Sequence, residues 1–344
     1  MQGTDTRETE PQPIAGHASR WLNRRRLRVD WFDSWHDDLD AALATLPEMP
    51  MCPHELYREL ATNPAPVEKR TALVTLGGDP LAVVGVRREG QRWTPVTTWI
   101  VPGSLFPVRD GMLVPALTAL DVPLFVSWWR QAVEPPTSDR FKRLECIETR
   151  RLSLRGDYEA FWKETRLWGR IKEARRRCRS FTVAVNEPGA AEWALVNWGR
   201  KWAPEGFDEV LDVRDRLVIA RYWEPRGRHF TISLHDGDKA VGAAVQLVHD
   251  DHVIGIAYHR EPEYEKHSIG TRLLDAVHQW AASAGYAALD MGGGQQYKEQ
   301  WAPVGGKRWQ FVVTPRRSLA SRASSAVLRR LRRAIGLLPG AEPA

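Results

Sequence analysis

The chain has 344 residues, a formal net charge of +6, 43% hydrophobic residues and sixteen tryptophans, which is enough apolar material for real cores and enough length for two domains of ordinary size. Its three cysteines, Cys52, Cys146 and Cys178, are odd in number and show no CxxC spacing, so disulfide-scaffold and zinc-finger readings are excluded and a reducing compartment is expected. No apolar run approaches the roughly 18 residues needed to span a bilayer, so the expectation is a cytoplasmic protein within reach of the inner membrane face.

The positive charge is local. Residues 17–28 carry five arginines, residues 166–179 seven basic residues against Glu173, and residues 316–333 seven arginines with no acid. Such clusters suit an anionic partner (RNA, phospholipid or a nucleotide sugar) and equally suit solvated helix faces.

In chain order, residues 1–26 are polar and without period, and are expected to form a disordered tail. A strand is predicted over 27–32 and helices over 35–46 and 54–62. A hairpin follows, with 71–76 and 81–87 flanking Gly77-Gly78-Asp79-Pro80 and a third strand over 92–99. Further strands are expected over 124–128 and 143–154, with a Pro-containing loop at 132–139. One long basic amphipathic helix is predicted over 158–179, then a strand at 181–185, helices at 190–203 and 209–222, and a hairpin of 229–235 with 239–248. A closing strand is expected over 308–314. A basic amphipathic helix over 318–338 suits anionic lipid or RNA phosphate, or packing on the rest of the chain. The boundaries read as a tail (1–26), a first domain (27–154), a second (155–315) and a basic helix with its tail (316–344).

The stretch 253–301 carries the functional signal. Residues 253–258 read as a strand, 268–284 as a helix and 287–291 as a second strand. Ser268 is placed to cap the helix and Gly285 to close it. Ile269, Leu273, Leu274, Val277, Trp280, Ala281 and Ala284 make its apolar face. A strand running into a helix whose first turn holds Ser268, Ile269, Gly270, Thr271 and Arg272 leaves backbone N–H groups converging on one spot, which suits a phosphate. After the second strand come Asp290, Gly292 to Gly294, and Tyr297-Lys298 with Trp301 beyond.

The pattern of Tyr264, Leu273-Leu274, Trp280, Gly285-Tyr286, Asp290, a glycine and Tyr297-Lys298 resembles the BioF2-like acetyltransferase domains, a branch of the GNAT acyltransferase superfamily that includes proteins of cellulose and other exopolysaccharide systems. It is also similar to the FemABX aminoacyl transferases. The resemblance implies an α/β fold of tandem GNAT-like domains, the first degenerate, with mixed twisted sheets and helices on both faces. It implies an N-acyltransferase with no tightly bound cofactor, taking its acyl group from acyl-CoA, or from aminoacyl-tRNA held by the Arg-rich stretches, to an amine of a small-molecule or cell-envelope acceptor. A non-catalytic accessory protein of envelope or polysaccharide assembly is the third reading. GNAT enzymes that use acetyl-CoA usually carry Arg/Gln-x-x-Gly-x-Gly/Ala, whereas this chain has Glu265, His267, Ser268, Ile269 and Gly270, of which only Gly270 fits.

Acyl transfer to an amine needs a held donor carbonyl, a route for the amine proton and support for the oxyanion, and it needs no metal. Lys298 is the candidate for oxyanion or phosphate support, Asp290 for accepting a proton or capping the glycine turn, and Tyr297 for donating to the leaving group or for packing. His259 is the candidate base. No Ser-His-Asp order, HExxH, Walker loop or GxGxxG after a strand is present, so hydrolase, zinc-enzyme, kinase and dehydrogenase readings lack support.

Overall fold

A computed structural model describes residues 27–97, 105–129, 140–154, 157–202, 209–293 and 296–315. The expected tail at 1–26, the loop at 132–139 and the basic helix at 318–338 lie outside the described residues. The first half runs β1 (Leu27–Phe32), α1 (Asp37–Leu43), α2 (His54–Thr62), β2 (Lys69–Leu76), β3 (Asp79–Glu89), β4 (Arg92–Pro95), α3 (Leu113–Ala119), β5 (Leu124–Trp129) and β6 (Phe141–Ser153). Two connecting helices, α4 (Tyr158–Lys163) and α5 (Trp168–Arg177), follow. The second half runs β7 (Thr182–Val185), α6 (Ala190–Trp202), α7 (Glu209–Trp223), β8 (His229–Asp236), β9 (Lys239–His249), β10 (His252–Arg260), α8 (Ile269–Ser283), β11 (Ala288–Gly293) and β12 (Val304–Val313). Strand, two helices, three strands, helix, two strands: the order is the same in both halves, which is the tandem α/β layout expected.

The two halves share one sheet of twelve strands, not one sheet each. Its order is β1-β2-β3-β4-β5-β12-β6-β11-β10-β9-β8-β7. Reading inward from either edge gives the same sequence of roles, with one substitution: the last strand of each half sits between the last two strands of the other. Thus β12 pairs with both β5 and β6, and β6 with both β12 and β11, all antiparallel. The parallel contacts are β4 with β5 and β10 with β11.

Local chemistry explains most of the elements. The β2–β3 hairpin closes through Gly77 and Gly78, both at positive φ, which the tight two-residue turn requires. Helix α8 ends as its sequence foretells: Gly285 is left-handed at φ 82°, its N–H donates to the Ala282 carbonyl and the Tyr286 N–H to that of Ala281. The expected long helix over 158–179 is instead α4 and α5 with a break between them. Thr165 is the cause, because its hydroxyl donates back to the Trp162 carbonyl at 2.9 Å and accepts from the Leu167 N–H, a local alternative to helical pairing. Helix α3 has no counterpart among the predicted elements.

Two cores flank the sheet. One joins the first half to the α6–α7 face of the second, through residues such as Leu56, Leu60, Val83, Leu195, Ile219, Val245 and Ile256. The other lies under α4, α5 and α8, through Trp162, Ile171, Phe230, Leu273, Val277 and Trp301. His278 is fully buried there, stacked on Trp162 and edge-on to Trp301, and burial pushes its pKa down to about 3. Among the described residues no helix is long and apolar enough to cross a membrane.

Two outcomes test this packing. A Cβ at Gly305 would lie 2.2 Å from the Arg151 Cβ and 3.0 Å from its backbone N, where β12 crosses β6. Gly305→Ala should therefore cost about 1–3 kcal/mol in urea unfolding. His278 is neutral in the folded chain but takes a proton near pH 6.5 when unfolded, so stability is full above that pH and falls as the pH drops. Between pH 6.5 and 4.5 the wild type should lose roughly 2–3 kcal/mol more than His278→Phe, measured from denaturant midpoints at both pH values.

Candidate active site

Strands β10 and β11 pair over only three residues, from His252–Ala288 to Ile254–Asp290. Beyond that point β10 continues along β9 to Arg260, while β11 continues along β6 to Gly293. The partners diverge and a wedge opens between them. Two irregularities mark its apex: β10 bulges between Gly255 and Ala257, and β11 slips between Asp290 and Gly293. Tyr258 folds back over Gly255, where an added Cβ would meet its ring at 2.7 Å, and its hydroxyl reaches Gln246 at 3.4 Å. Burial raises the Tyr258 pKa.

Asp290 is fully buried at the apex, and its Oδ1 accepts the Gly292 N–H at 2.7 Å, so the carboxylate holds the left-handed glycine that follows. Tyr297 and Lys298 lie in a short 3-10 turn, Gln296–Gln300. Tyr297 is 45% exposed, yet burial of its hydroxyl end raises its pKa, opposed by Arg260. Lys298 is only 8% exposed, with its ammonium 5.9 Å from the Tyr297 ring centre. A buried lysine is uncommon.

At the other border of the wedge, Pro262–His267 forms a 3-10 turn and leads into α8. Ser268 does not cap the helix with its side chain, contrary to expectation. It sits at φ 61°, ψ 37°, and this left-handed backbone, in place of the extended one an N-cap adopts, leaves its hydroxyl without a cap bond. The Ile269 side chain is fully buried against Gly242. What Ile269, Gly270 and Thr271 offer is their backbone N–H groups, which a helix start leaves without intrahelical acceptors. In front of Gly270 the nearest side chain is Arg260, its Cδ 3.5 Å from where a Cβ would stand. Arg260 also pairs with Glu265 at 3.0 Å. It therefore stands beside the helix start and offsets the charge of Glu265. Sequence reasoning passed over Arg260, although its place at the end of the strand leading into the phosphate-type turn was a usable signal.

Arg272 is drawn into a different arrangement. Its guanidinium donates to Asp275 at 3.0 Å, and the same fully buried carboxylate receives two bonds from Arg175, both 2.9 Å, and the Tyr158 hydroxyl at 2.5 Å. Asp275 thereby ties α4, α5 and α8 together below the site, another contact not foreseen from the apolar spacing of α8.

His259 faces the other side of the sheet. Alternation along β10 puts Arg260 on the α8 face and His259 on the α6 face, where it stands edge-on to Trp193 with its Nε2 3.5 Å from Glu261. Burial lowers its pKa, against the raising effect of Glu261, so it is neutral at pH 7. Arg260 thus stands beside the α8 start, Tyr297 and Lys298 share the turn after β11, Asp290 lies buried at the end of the β10–β11 pairing, and His259 is on the opposite face of the sheet.

A family model described as an acetyltransferase (GNAT) domain matches residues 165–300, from the break before α5 to the Tyr297–Lys298 turn. The match lies within the second half and covers less than half of the chain. No curated protein matches the chain. Among solved structures, a tandem GNAT protein from the clavulanic acid biosynthesis pathway is 13% identical, covering 84% of this chain and 98% of that one, with a TM-score of 0.47. L-PGS from Bacillus licheniformis is 15% identical, with 89% and 98% covered and a TM-score of 0.47. FemX is 10% identical, with 81% and 96% covered and a TM-score of 0.45.

Removing the buried carboxylate should be costly, because Arg272 and Tyr158 lose this partner and Arg175 is left with Glu159 alone as its ion pair. Asp275→Leu is expected to lose about 3–5 kcal/mol of unfolding free energy, read from urea titration.

Proposed function

We propose that this chain is an N-acyltransferase that moves an acyl group from acyl-CoA to an amine. The observation that carries the reading is the separation of β10 from β11 after Ile254 and Asp290, with the start of α8 and Arg260 at one border and Lys298 at the other. The N–H groups of Ile269, Gly270 and Thr271, with Arg260, supply positive potential for the pyrophosphate of the donor. Lys298 supports the oxyanion that forms when the amine nitrogen attacks the thioester carbonyl. As the C–N bond forms and the C–S bond breaks, the amine proton passes to solvent water, since His259 lies on the far face of the sheet, and the leaving thiolate takes a proton from Tyr297, which water then restores. Asp290 holds the glycine turn that carries Tyr297 and Lys298 to their place.

The first half serves as a structural partner, and we place the chain beside the BioF2-like branch on the strength of Tyr264, Trp280, Asp290 and the Tyr297-Lys298 pair. Aminoacyl-tRNA is the less favoured donor, because three of the five cations of α5 are already in ion pairs: Arg175 with Asp275, and Arg176 and Arg177 with Glu173. An amine of a small molecule or a cell-envelope precursor is the acceptor class this reading takes.

Acetyl-CoA should raise the melting temperature by several degrees, whereas uncharged or charged tRNA should leave it unchanged. Arg260→Gln should weaken acetyl-CoA binding about tenfold by calorimetry, while Lys298→Ala should leave binding within a few-fold and cut the rate of acetyl transfer to a panel of amines about a hundredfold. No melting shift with acetyl-CoA would remove the acyl-CoA reading.

A further inference from the structure

We propose that Arg216 of α7 is a positioning residue that fixes the β10 bulge at the apex of the donor wedge, and that the first half of the chain holds Arg216 in register through its neighbour Asp215. Ile256 is the extra residue of that bulge, since Gly255 stands opposite Gln246 and Ala257 opposite Val245, leaving Ile256 without a partner on β9. Its carbonyl is bound from the side: the Arg216 Nη1 donates to it at 3.1 Å. Arg216 is 4% exposed, and its guanidinium lies 4.5 Å over the Trp198 ring of α6. A buried charged donor on an unpaired carbonyl is a strong, directional bond, and the aromatic face leaves the guanidinium few other orientations.

The adjacent Asp215 points to the first half. Its Oδ2 accepts from Arg87 of β3 at 2.8 Å, both side chains being 1% exposed, and its Oδ1 accepts from Asn63 at 3.2 Å, just past α2. Lys69 of β2 completes the cluster 3.9 Å from Asp215, and donates to the Leu60 and Asn63 carbonyls at the end of α2. Consecutive residues of one helix therefore grip β3 of the first half and the bulge of the second. A helix turn is rigid on this scale, so the register of α7 on the first half sets the height at which Arg216 meets Ile256. The bulge in turn sets the direction in which β10 leaves β11, and with it the width of the wedge.

The proposal rests on the reading of the wedge as the acyl-CoA site, and its test separates the two. Arg216→Met keeps an unbranched stem over Trp198 and removes the donor; Arg216→Lys restores a cation. Amide hydrogen exchange at Ile256, Ala257 and Tyr258 should quicken at least tenfold in Arg216→Met, with β8 unchanged, and return most of the way in Arg216→Lys. The acetyl-CoA dissociation constant should rise about tenfold in the first variant and about twofold in the second. Should Arg216→Met fail to fold, Trp198→Leu, which frees the guanidinium, is expected to move the same amides in the same direction by a smaller factor. Wild-type exchange at the bulge in whichever variant folds overturns the proposal. A wild-type protein that binds no acetyl-CoA overturns the donor reading instead, and the exchange result then decides the role of Arg216 alone.

Discussion

The exchange of β6 and β12 is the constraint from which the rest of the architecture follows. Each half needs a strand beside its penultimate one, and each receives it from the other: β12 lies along β5, and β6 along β11. A sheet built this way has no seam along which the halves can part, and it brings the 3-10 turn carrying Lys298 into the connection between β11 and the exchanged β12. It also explains why Gly305 is needed. The crossing strand passes so close to Arg151 that only a residue without a side chain fits.

On this frame, α8 does two jobs with opposite chemistry. Its start presents backbone N–H groups and small residues to the wedge, and one turn further Asp275 gathers Arg175, Arg272 and Tyr158 in a buried cluster. The cluster fixes the helix against α4 and α5, which are themselves interrupted at Thr165. A helix held only by Leu273, Leu274 and Val277 would be free to slide along its apolar face; charged groups with directional bonds define one position. Precise placement matters at the start of α8, because the spot where its N–H groups converge moves with the helix.

Much of the fold is legible in the sequence, and the misses have two causes, local backbone geometry and partners far along the chain. Hairpins with Gly77-Gly78 and Gly237, the closing Gly285 and the strand–helix–strand order around α8 are local patterns that the sequence predicts. Ser268 has the composition of a cap but a left-handed backbone, because the preceding 3-10 turn delivers the chain from an unusual direction. Thr165 breaks a helix whose apolar stripe continues across the break. Arg260, Asp275 and Arg216 owe their roles to partners distant in sequence, and a shared sheet with exchanged strands leaves no mark on periodicity at all. Lys298 stands out by following the glycine turn in a resembled pattern and His259 only by lying between strand and helix, and alternation along β10 sends His259 to the far face.

Consider finally how such a chain emerges from the ribosome. The pairing of Leu124 with Val313 means that β5 finds this neighbour only once the last strand of the second half has been made, so the half made first must wait with an open edge. A freestanding copy of either half would lack a neighbour for one strand and carry a surplus one with nowhere to lie. Each half is the other's prosthesis, and the two can be truncated or transplanted only as a pair.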